Sequence, residues 1–123
     1  MNGTPQWPEA AELLRLLGHP LRLALLHELA KGPKCVNDIH ELLETAQANV
    51  SQHLAVLRKA RLVGSHEHAN LRCYYLLRPG LVRDLLRFLA REYPPVPKTP
   101  AQVKRAAQAR QRRGARAPCG AKA

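Results

Sequence analysis

Hydrophobic residues recur at helical spacing over most of the first 93 positions, and this periodicity predicts five helices. The segment SHEHANLRCYYLL (65–77) differs, because strand-favouring residues such as Tyr74 and Tyr75 follow a turn-like Ala69-Asn70 pair. It predicts an antiparallel hairpin over about 63–77. The helices are placed near 8–17, 20–31, 37–44, 48–60 and 80–92. The chain is therefore expected to be mainly α with a small β-hairpin.

The third and fourth predicted helices form a helix-turn-helix over residues 37–62. Asn37 or Asp38 is the expected N-cap of the first, since a short side-chain oxygen can accept from a free backbone N–H. Ala46 and Gln47 are expected to supply the turn. The inward residues of the first helix are Ile39, Leu42 and Leu43. Those of the second are Val50, Leu54 and Leu57, at spacing i, i+4 and i+7.

The opposite face of the second helix is rich in amides, a hydroxyl and cations, which suits a helix lying in the major groove of DNA. Amides can pair with adenine edges, and Arg or Lys can hold phosphate. Arg72 in the hairpin is a further candidate for a phosphate or minor-groove contact. The alternative is an amphipathic helix pair whose polar face meets only water. The predicted contacts in the helix are Gln47, Asn49, Ser51, Gln52, His53, Arg58 and Lys59.

Charge divides the chain in two. Residues 1–93 hold 12 of the 20 Lys and Arg residues and all 9 acidic residues, a net charge of +3. Residues 94–123 hold the other 8 cations and five prolines, a net charge of +8. We predict one folded domain over 8–93 and a disordered basic tail over 94–123, with nascent helix over 101–113. Such a tail indicates a polyanionic partner.

Composition also narrows the class of protein. No apolar run approaches 18 residues and the N-terminus lacks a signal-peptide pattern, so a cytoplasmic protein without membrane contact is expected. Three cysteines without framework spacing argue against a secreted disulfide scaffold. The chain has no Gly-rich phosphate loop and no recognisable carboxylate pair. We therefore expect neither an enzyme nor an organic cofactor.

The first and last predicted helices carry more leucine than one small core needs. A domain of about 85 residues is marginal alone, so these helices are the natural surface for a homodimer. A two-fold dimer also places two reading helices about one turn of DNA apart. The element order is that of a winged helix-turn-helix with extra N- and C-terminal dimerisation helices.

Three segments carry a resemblance to a known family. They are LGHPLRLALLHELAKGP (17–33), NVSQHLAVLRKARLV (49–63) and LRCYYLL (71–77). In this order and spacing the chain resembles the ArsR/SmtB family of small metal-responsive repressors, over about 9–91. The resemblance implies a homodimeric repressor that binds double-stranded operator DNA and leaves it when an inducer binds.

The inducer sites of that family are matched poorly. One of them uses a Cys-x-Cys at the start of the helix-turn-helix, where this chain has Cys35 but then Asn37 and His40. Another uses carboxylates and His on the last helix, where this chain has Asp84 and Glu92 but no His. The resemblance therefore implies DNA binding more strongly than it implies any inducer.

Two cysteines are candidates for a different inducer site. If the segment before the helix-turn-helix pairs with the second hairpin strand, Cys35 and Cys73 become neighbours within one subunit. Such a pair can ligate a soft metal or metalloid, form a reversible disulfide or persulfide, or simply pack as small hydrophobes. His66, His68 and Cys119 are weaker candidate ligands.

The expected function is a DNA-binding repressor of the ArsR type, released by a thiol-directed inducer such as arsenite. A repressor of the same fold that senses thiol redox state or persulfide is the alternative. An alternative of another class is a basic structural protein that binds nucleic acid through its tail.

Overall fold

The computed structural model describes residues 3, 4 and 6–114, and these divide into two units. The first unit is Met1–Arg91 and the second is Glu92–Ala123. The elements in chain order are α1 (Trp7–Leu17), α2 (Pro20–Ala30), β1 (Lys34–Cys35), α3 (Val36–Leu42), α4 (Gln47–Lys59), β2 (Val63–His68), β3 (Leu71–Leu76), α5 (Pro79–Ala90) and α6 (Pro100–Arg112).

The mainly α winged helix-turn-helix fold is confirmed. Each of the five predicted helices begins and ends within two residues of the predicted positions. The predicted N-cap of α3 is wrong, because the helix begins one residue after β1 and Cys35 is its N-cap. Asp38 instead lies in the first turn of α3, where its carboxylate favours the helix dipole. Gln47 is the first residue of α4 and not part of the turn.

The sheet has three antiparallel strands in the order β1-β3-β2. The hairpin turns at Ala69-Asn70, as predicted, and both residues have positive φ, 52° and 65°. Two left-handed residues in succession are the conformation whose twist matches that of paired strands. On its other edge β3 pairs with the two residues of β1. The start of the helix-turn-helix is thereby joined to the hairpin, which is the wing of the fold.

The core lies between α2, α3, α4, the first residue of β2 and α5. Its centre is a set of side chains with no exposed area: Leu25, Leu26, Ile39, Val50, Leu54, Leu57, Leu62, Val63 and Val82. The inward face predicted for α4 is confirmed. In α3, however, Leu42 is exposed, because the helix ends at this residue and Ile39 alone reaches the centre of the core.

The terminal helices of the first unit leave large apolar side chains in contact with solvent. On α1 these are Trp7 and Leu14, with exposed fractions of 68% and 64%. On α5 they are Phe88 and Leu89, at 56% and 51%. Large apolar side chains exposed in this number are candidates for an interaction surface.

The second unit contains the 13-residue helix α6, at the place where nascent helix is predicted within the basic tail. The disorder predicted for the rest of the tail stays a prediction. Thr99 Oγ1 accepts from the backbone N–H of Gln102 at 3.2 Å, and Gln102 Oε1 accepts from the backbone N–H of Thr99 at 2.9 Å. This capping box, with Pro100 directly after the cap, specifies the start of the helix locally. Throughout residues 3, 4 and 6–114, no helix is long and apolar enough to cross a membrane.

Candidate DNA-binding surface and thiol pair

The outward face of α4 is the first candidate site, and it is exposed along its whole length. Ala48 and Ala55 lie on the same face between the polar residues, a feature that the sequence reasoning missed although helical spacing indicates it. Alanine methyl groups there are suited to contacts with thymine methyl groups. Six of the seven predicted contact residues of the helix are exposed: Gln47, Asn49, Ser51, Gln52, Arg58 and Lys59.

His53 is the exception, and its assignment to the outward face is wrong. The side chain is half-buried, its ring centroid lies 4.3 Å from that of His19, and its Nδ1 accepts from Arg22 Nε at 3.1 Å. Burial holds the pKa of His53 below its ordinary value, and the nearby His19 and Arg22 lower it further. His53 therefore contacts α2, and its predicted contact with DNA stays a prediction.

Arg22 joins three helices around this imidazole. Its Nη1 donates to the carbonyl of Leu16 at the end of α1, at 2.9 Å, while its Nε reaches His53 in α4. His19 caps α2 by accepting from the backbone N–H of Leu21 at 3.0 Å. Sequence reasoning missed Arg22, although it lies in the HPLRL segment that carries the family resemblance. This cluster of His19, Arg22 and His53 fixes α4 against the preceding helices.

The hairpin is attached to the end of α4 by a polar contact. Arg58 Nη1 donates to Ser65 Oγ in β2 at 3.1 Å. Arg72, a predicted DNA contact, is exposed and pairs with Glu67 directly across the hairpin at 3.2 Å. Glu67 was missed by the sequence reasoning. Since exposed ion pairs are weak, phosphate can compete with Glu67 for the guanidinium.

One glycine shapes the base of the hairpin. Gly64 is buried opposite Tyr75, and a Cβ at Gly64 would lie 2.6 Å from Tyr75 Cζ. The ring of Tyr75 therefore lies over the backbone of β2, in the space that a side chain at position 64 would occupy. This contact packs the two strands of the hairpin against each other at its base.

The thiol pair lies where β1 meets β3. Cys35 and Cys73 are directly paired in the strand register, both are half-buried, and their Sγ atoms are 2.9 Å apart. The predicted proximity of the two thiols is confirmed, while their role stays a prediction. Hydrogen bonding to Cys73 raises the pKa of Cys35, and loss of solvent and the charge of Asp38 act in the same direction.

The predicted histidine ligands do not complete a metal site. His66 is opposite Cys73 in the register, but both His66 and His68 are exposed. Over residues 3, 4 and 6–114, no group of three or more metal-ligating side chains lies together. Cys119 lies outside the described residues. On the last helix of the first unit, Asp84 is paired with Arg87 at 3.1 Å.

A core-packed helix with an exposed polar face, followed by a hairpin fastened to its end, defines a winged helix-turn-helix protein of the DNA-binding type. Comparison with known proteins identifies the family. Residues 19–65 match the model of the bacterial regulatory proteins of the arsR family. An HTH-type transcriptional regulator of Methanocaldococcus jannaschii is 34% identical over 85 residues, which cover 68% of this chain and 94% of that protein.

Two further proteins show the same likeness. The HTH-type transcriptional repressor SmtB of Mycobacterium tuberculosis is 41% identical over 54 residues, 44% of this chain and 40% of its own length. The structure of HlyU from Vibrio cholerae is 28% identical, with a TM-score of 0.63, over 69% of this chain and 96% of HlyU. The chain belongs to the ArsR/SmtB family of winged helix-turn-helix transcriptional repressors.

Proposed function

We propose that this repressor reads a specific operator with the outward face of α4 and holds the flanking backbone with its hairpin. The observation that carries the proposal is the continuous exposure of Asn49, Ser51 and Gln52 on a helix whose other face is fully buried. A rigidly held helix keeps its polar groups in one geometry, which base-edge hydrogen bonds require. The repressor acts in the cytoplasm, where DNA is accessible and thiols stay reduced.

The repressor is proposed to act as a homodimer formed through α1 and α5. The exposed Trp7, Leu14, Phe88 and Leu89 supply the apolar area that a partner copy would cover. Two copies related by a two-fold axis bring two α4 helices to successive major grooves. The operator is then expected to be an inverted repeat.

Two substitutions distinguish recognition of base sequence by α4 from binding of the DNA backbone by the hairpin. Gln52→Ala is expected to lower affinity for the operator by about 1–3 kcal/mol and to relax preference at particular base pairs. Arg72→Ala is expected to weaken operator and random DNA alike and to flatten the salt dependence by about one counterion. Fluorescence anisotropy on both DNAs at several salt concentrations measures these effects. An equal loss on operator and random DNA for Gln52→Ala contradicts direct reading by this residue.

Release from the operator is proposed to follow from oxidation of the Cys35–Cys73 pair. The 2.9 Å between the sulfurs supports this, because a disulfide needs only an approach to about 2.05 Å and no third residue. The two thiols lose two protons and two electrons, and hydrogen peroxide accepts them to become two molecules of water. Since Cys35 is the N-cap of α3, the new bond draws the start of the helix-turn-helix toward the wing.

A soft metalloid such as arsenite is the second candidate inducer, favoured by the presence of two thiols side by side. Arsenic(III) binds three ligands in a trigonal pyramid, and two bonds from one arsenic atom require the sulfurs to separate beyond their present 2.9 Å. Further ligands must then come from outside the described residues or from solvent, since those residues hold no group of three metal-ligating side chains. Zinc, which requires four ligands, is the least suited.

Gel shifts on DNA upstream of the protein's own gene test the switch. The operator complex is challenged with hydrogen peroxide, polysulfide, arsenite or zinc, for the natural chain and for Cys35→Ser and Cys73→Ser. Each variant is expected to bind the operator but to remain bound after challenge. Cys119→Ser is the matched control for oxidation and should respond to hydrogen peroxide like the natural chain. A Cys35→Ser/Cys73→Ser double variant that is still released returns both thiols to a packing role.

The rival reading, a basic protein that binds nucleic acid through its tail alone, is tested by deleting residues 94–123. A repressor that reads through α4 keeps its preference for operator over random DNA after this deletion. A tail-only binder loses nearly all affinity for both.

A further inference from the structure

The helix α6 has a charge and exposure that the proposed reading of the operator does not use. Residues 94–114 contain no acidic side chain, and none of the α6 residues is buried. A helix that buries nothing gains no stability from a core. Lys104, Arg105 and Arg112 are exposed on its surface, where a ligand can reach them. The cations of this segment are Lys98, Lys104, Arg105, Arg110, Arg112 and Arg113.

The helix is specified by its own sequence. The Thr99–Gln102 capping box fixes its start, and alanine and glutamine fill most positions that are not cationic. Arg110 and Arg112 lie in its last turn, where positive charge favours the helix dipole. The chain thus builds a helical support for its cations where a fully flexible tail would also have carried the charge.

The cations are concentrated on one side of the helix. Lys104, Arg105 and Arg112 are spaced at i, i+1 and i+8, which confines them with Gln108 to an arc of about 100°. The fourth cation of α6, Arg110, lies on the opposite side with Val103, Ala106 and Ala107. A row of cations along a rod of about 10–12 Å in diameter suits the phosphate edge of a groove about 12 Å wide.

We propose that α6 and its flanking cations form an arm that binds the phosphate backbone of duplex DNA beside the operator. The choice of a duplex over single-stranded nucleic acid follows from the side chains present. Residues 94–123 contain no Phe, Tyr or Trp, and single-strand binders depend on such rings to stack bases. The arm carries affinity that does not depend on base sequence, while α4 discriminates among sequences.

A charge-neutral variant tests the arm in the full-length chain. Lys104→Gln, Arg105→Gln, Arg112→Gln and Arg113→Gln are combined, since glutamine keeps helix propensity and removes charge. The matched control replaces each of these residues by the other cationic residue and so keeps the charge: Lys104→Arg, Arg105→Lys, Arg112→Lys and Arg113→Lys. Both variants are titrated with operator duplex, random duplex and single-stranded DNA over a range of salt concentrations, and circular dichroism verifies that the helix is retained.

The neutral variant is expected to bind both duplexes more weakly by the same factor and to depend less on salt. If each cation meets one phosphate, the slope of log affinity against log salt falls by about 3.6 per chain. For each chain, a four-fold rise in salt then lowers the affinity of the neutral variant about 150-fold less than that of the natural chain. The control keeps the natural slope. An unchanged slope in the neutral variant overturns the arm, as does natural binding to single-stranded DNA that equals or exceeds binding to duplex.

The inference takes duplex DNA as its ligand from the proposed function, yet the two fail differently. If α4 does not read the operator, the natural chain shows no preference for operator over random duplex at any salt. If the arm is wrong but the operator is read, that preference stays and the neutral variant keeps the natural slope.

Discussion

Arg22 offers a stringent test of how the reading helix is held. The perturbation is Arg22→Met, which keeps most of the apolar stem and removes the guanidinium that donates to Leu16 at 2.9 Å and to His53 at 3.1 Å. Hydrogen bonds that involve a charged group contribute about 1.5–3 kcal/mol each. Because Arg22 is half-buried, water can replace part of the lost hydrogen bonding, so the lower end of this range of energies applies. Loss of both bonds is then expected to lower the free energy of unfolding by about 3 kcal/mol, over 100-fold in the folding equilibrium.

The assay is urea unfolding followed by circular dichroism at one fixed chain concentration. Arg83→Met on exposed α5 is the matched control and should change stability by less than about 0.5 kcal/mol. A double-mutant cycle with His53→Ala isolates the Arg22–His53 bond and should give a coupling of about 1 kcal/mol. If Arg22→Met proves as mild as Arg83→Met, the guanidinium does not hold α4 and the reasoning from these two contacts is refuted.

Three further results are expected. Gly64→Ala should lower the free energy of unfolding in urea by about 1–2 kcal/mol, because its methyl group displaces the Tyr75 ring. Adding Tyr75→Ala should remove the clash, and a Gly64→Ala variant as stable as the natural chain would contradict the close packing. The pKa of His53 is lowered from 6.5, so below about pH 6.5 the unfolded chain binds a proton at His53 more readily than the folded chain does. Stability should therefore fall as the pH drops below about 6.5, and His53→Gln should reduce that fall. Because the pKa of Cys35 is raised above 9.0, its oxidation by peroxide should still accelerate at a pH where a free cysteine has levelled off; an early plateau would argue against the paired thiol.

Much of the fold could be predicted because the apolar positions of its helices repeat at one clear spacing. The hairpin turn was also predictable, since Asn70 tolerates positive φ and the residues after it favour strands. The proximity of Cys35 and Cys73 followed from the expected pairing of β1 with β3, and these two residues are directly paired in the structure. The start of α3 was not predicted correctly, because capping preference suggested Asn37 or Asp38 whereas the end of β1 decides it.

The site was less predictable where it depends on contacts between distant residues. His53 was placed outward because of its polarity, although it stands three residues after Val50 and four before Leu57, a spacing that indicates the inner face. Its partner Arg22 is 31 residues away, and nothing in the local pattern connects them. The ion pair of Glu67 with Arg72 likewise depends on the hairpin register, which was approximate before the structure.

The position of Cys35 as both the last residue of β1 and the N-cap of α3 has a consequence for how such a protein can change. The thiol pair shares no side chain with the exposed face of α4 (Gln47–Lys59), yet eleven residues, 36–46, separate them in sequence. Under the proposed function, response to an inducer and preference for DNA can therefore be altered by separate substitutions. Substitutions in α4 would change the operator while the thiols remain, and replacement of the thiols would leave the operator unchanged.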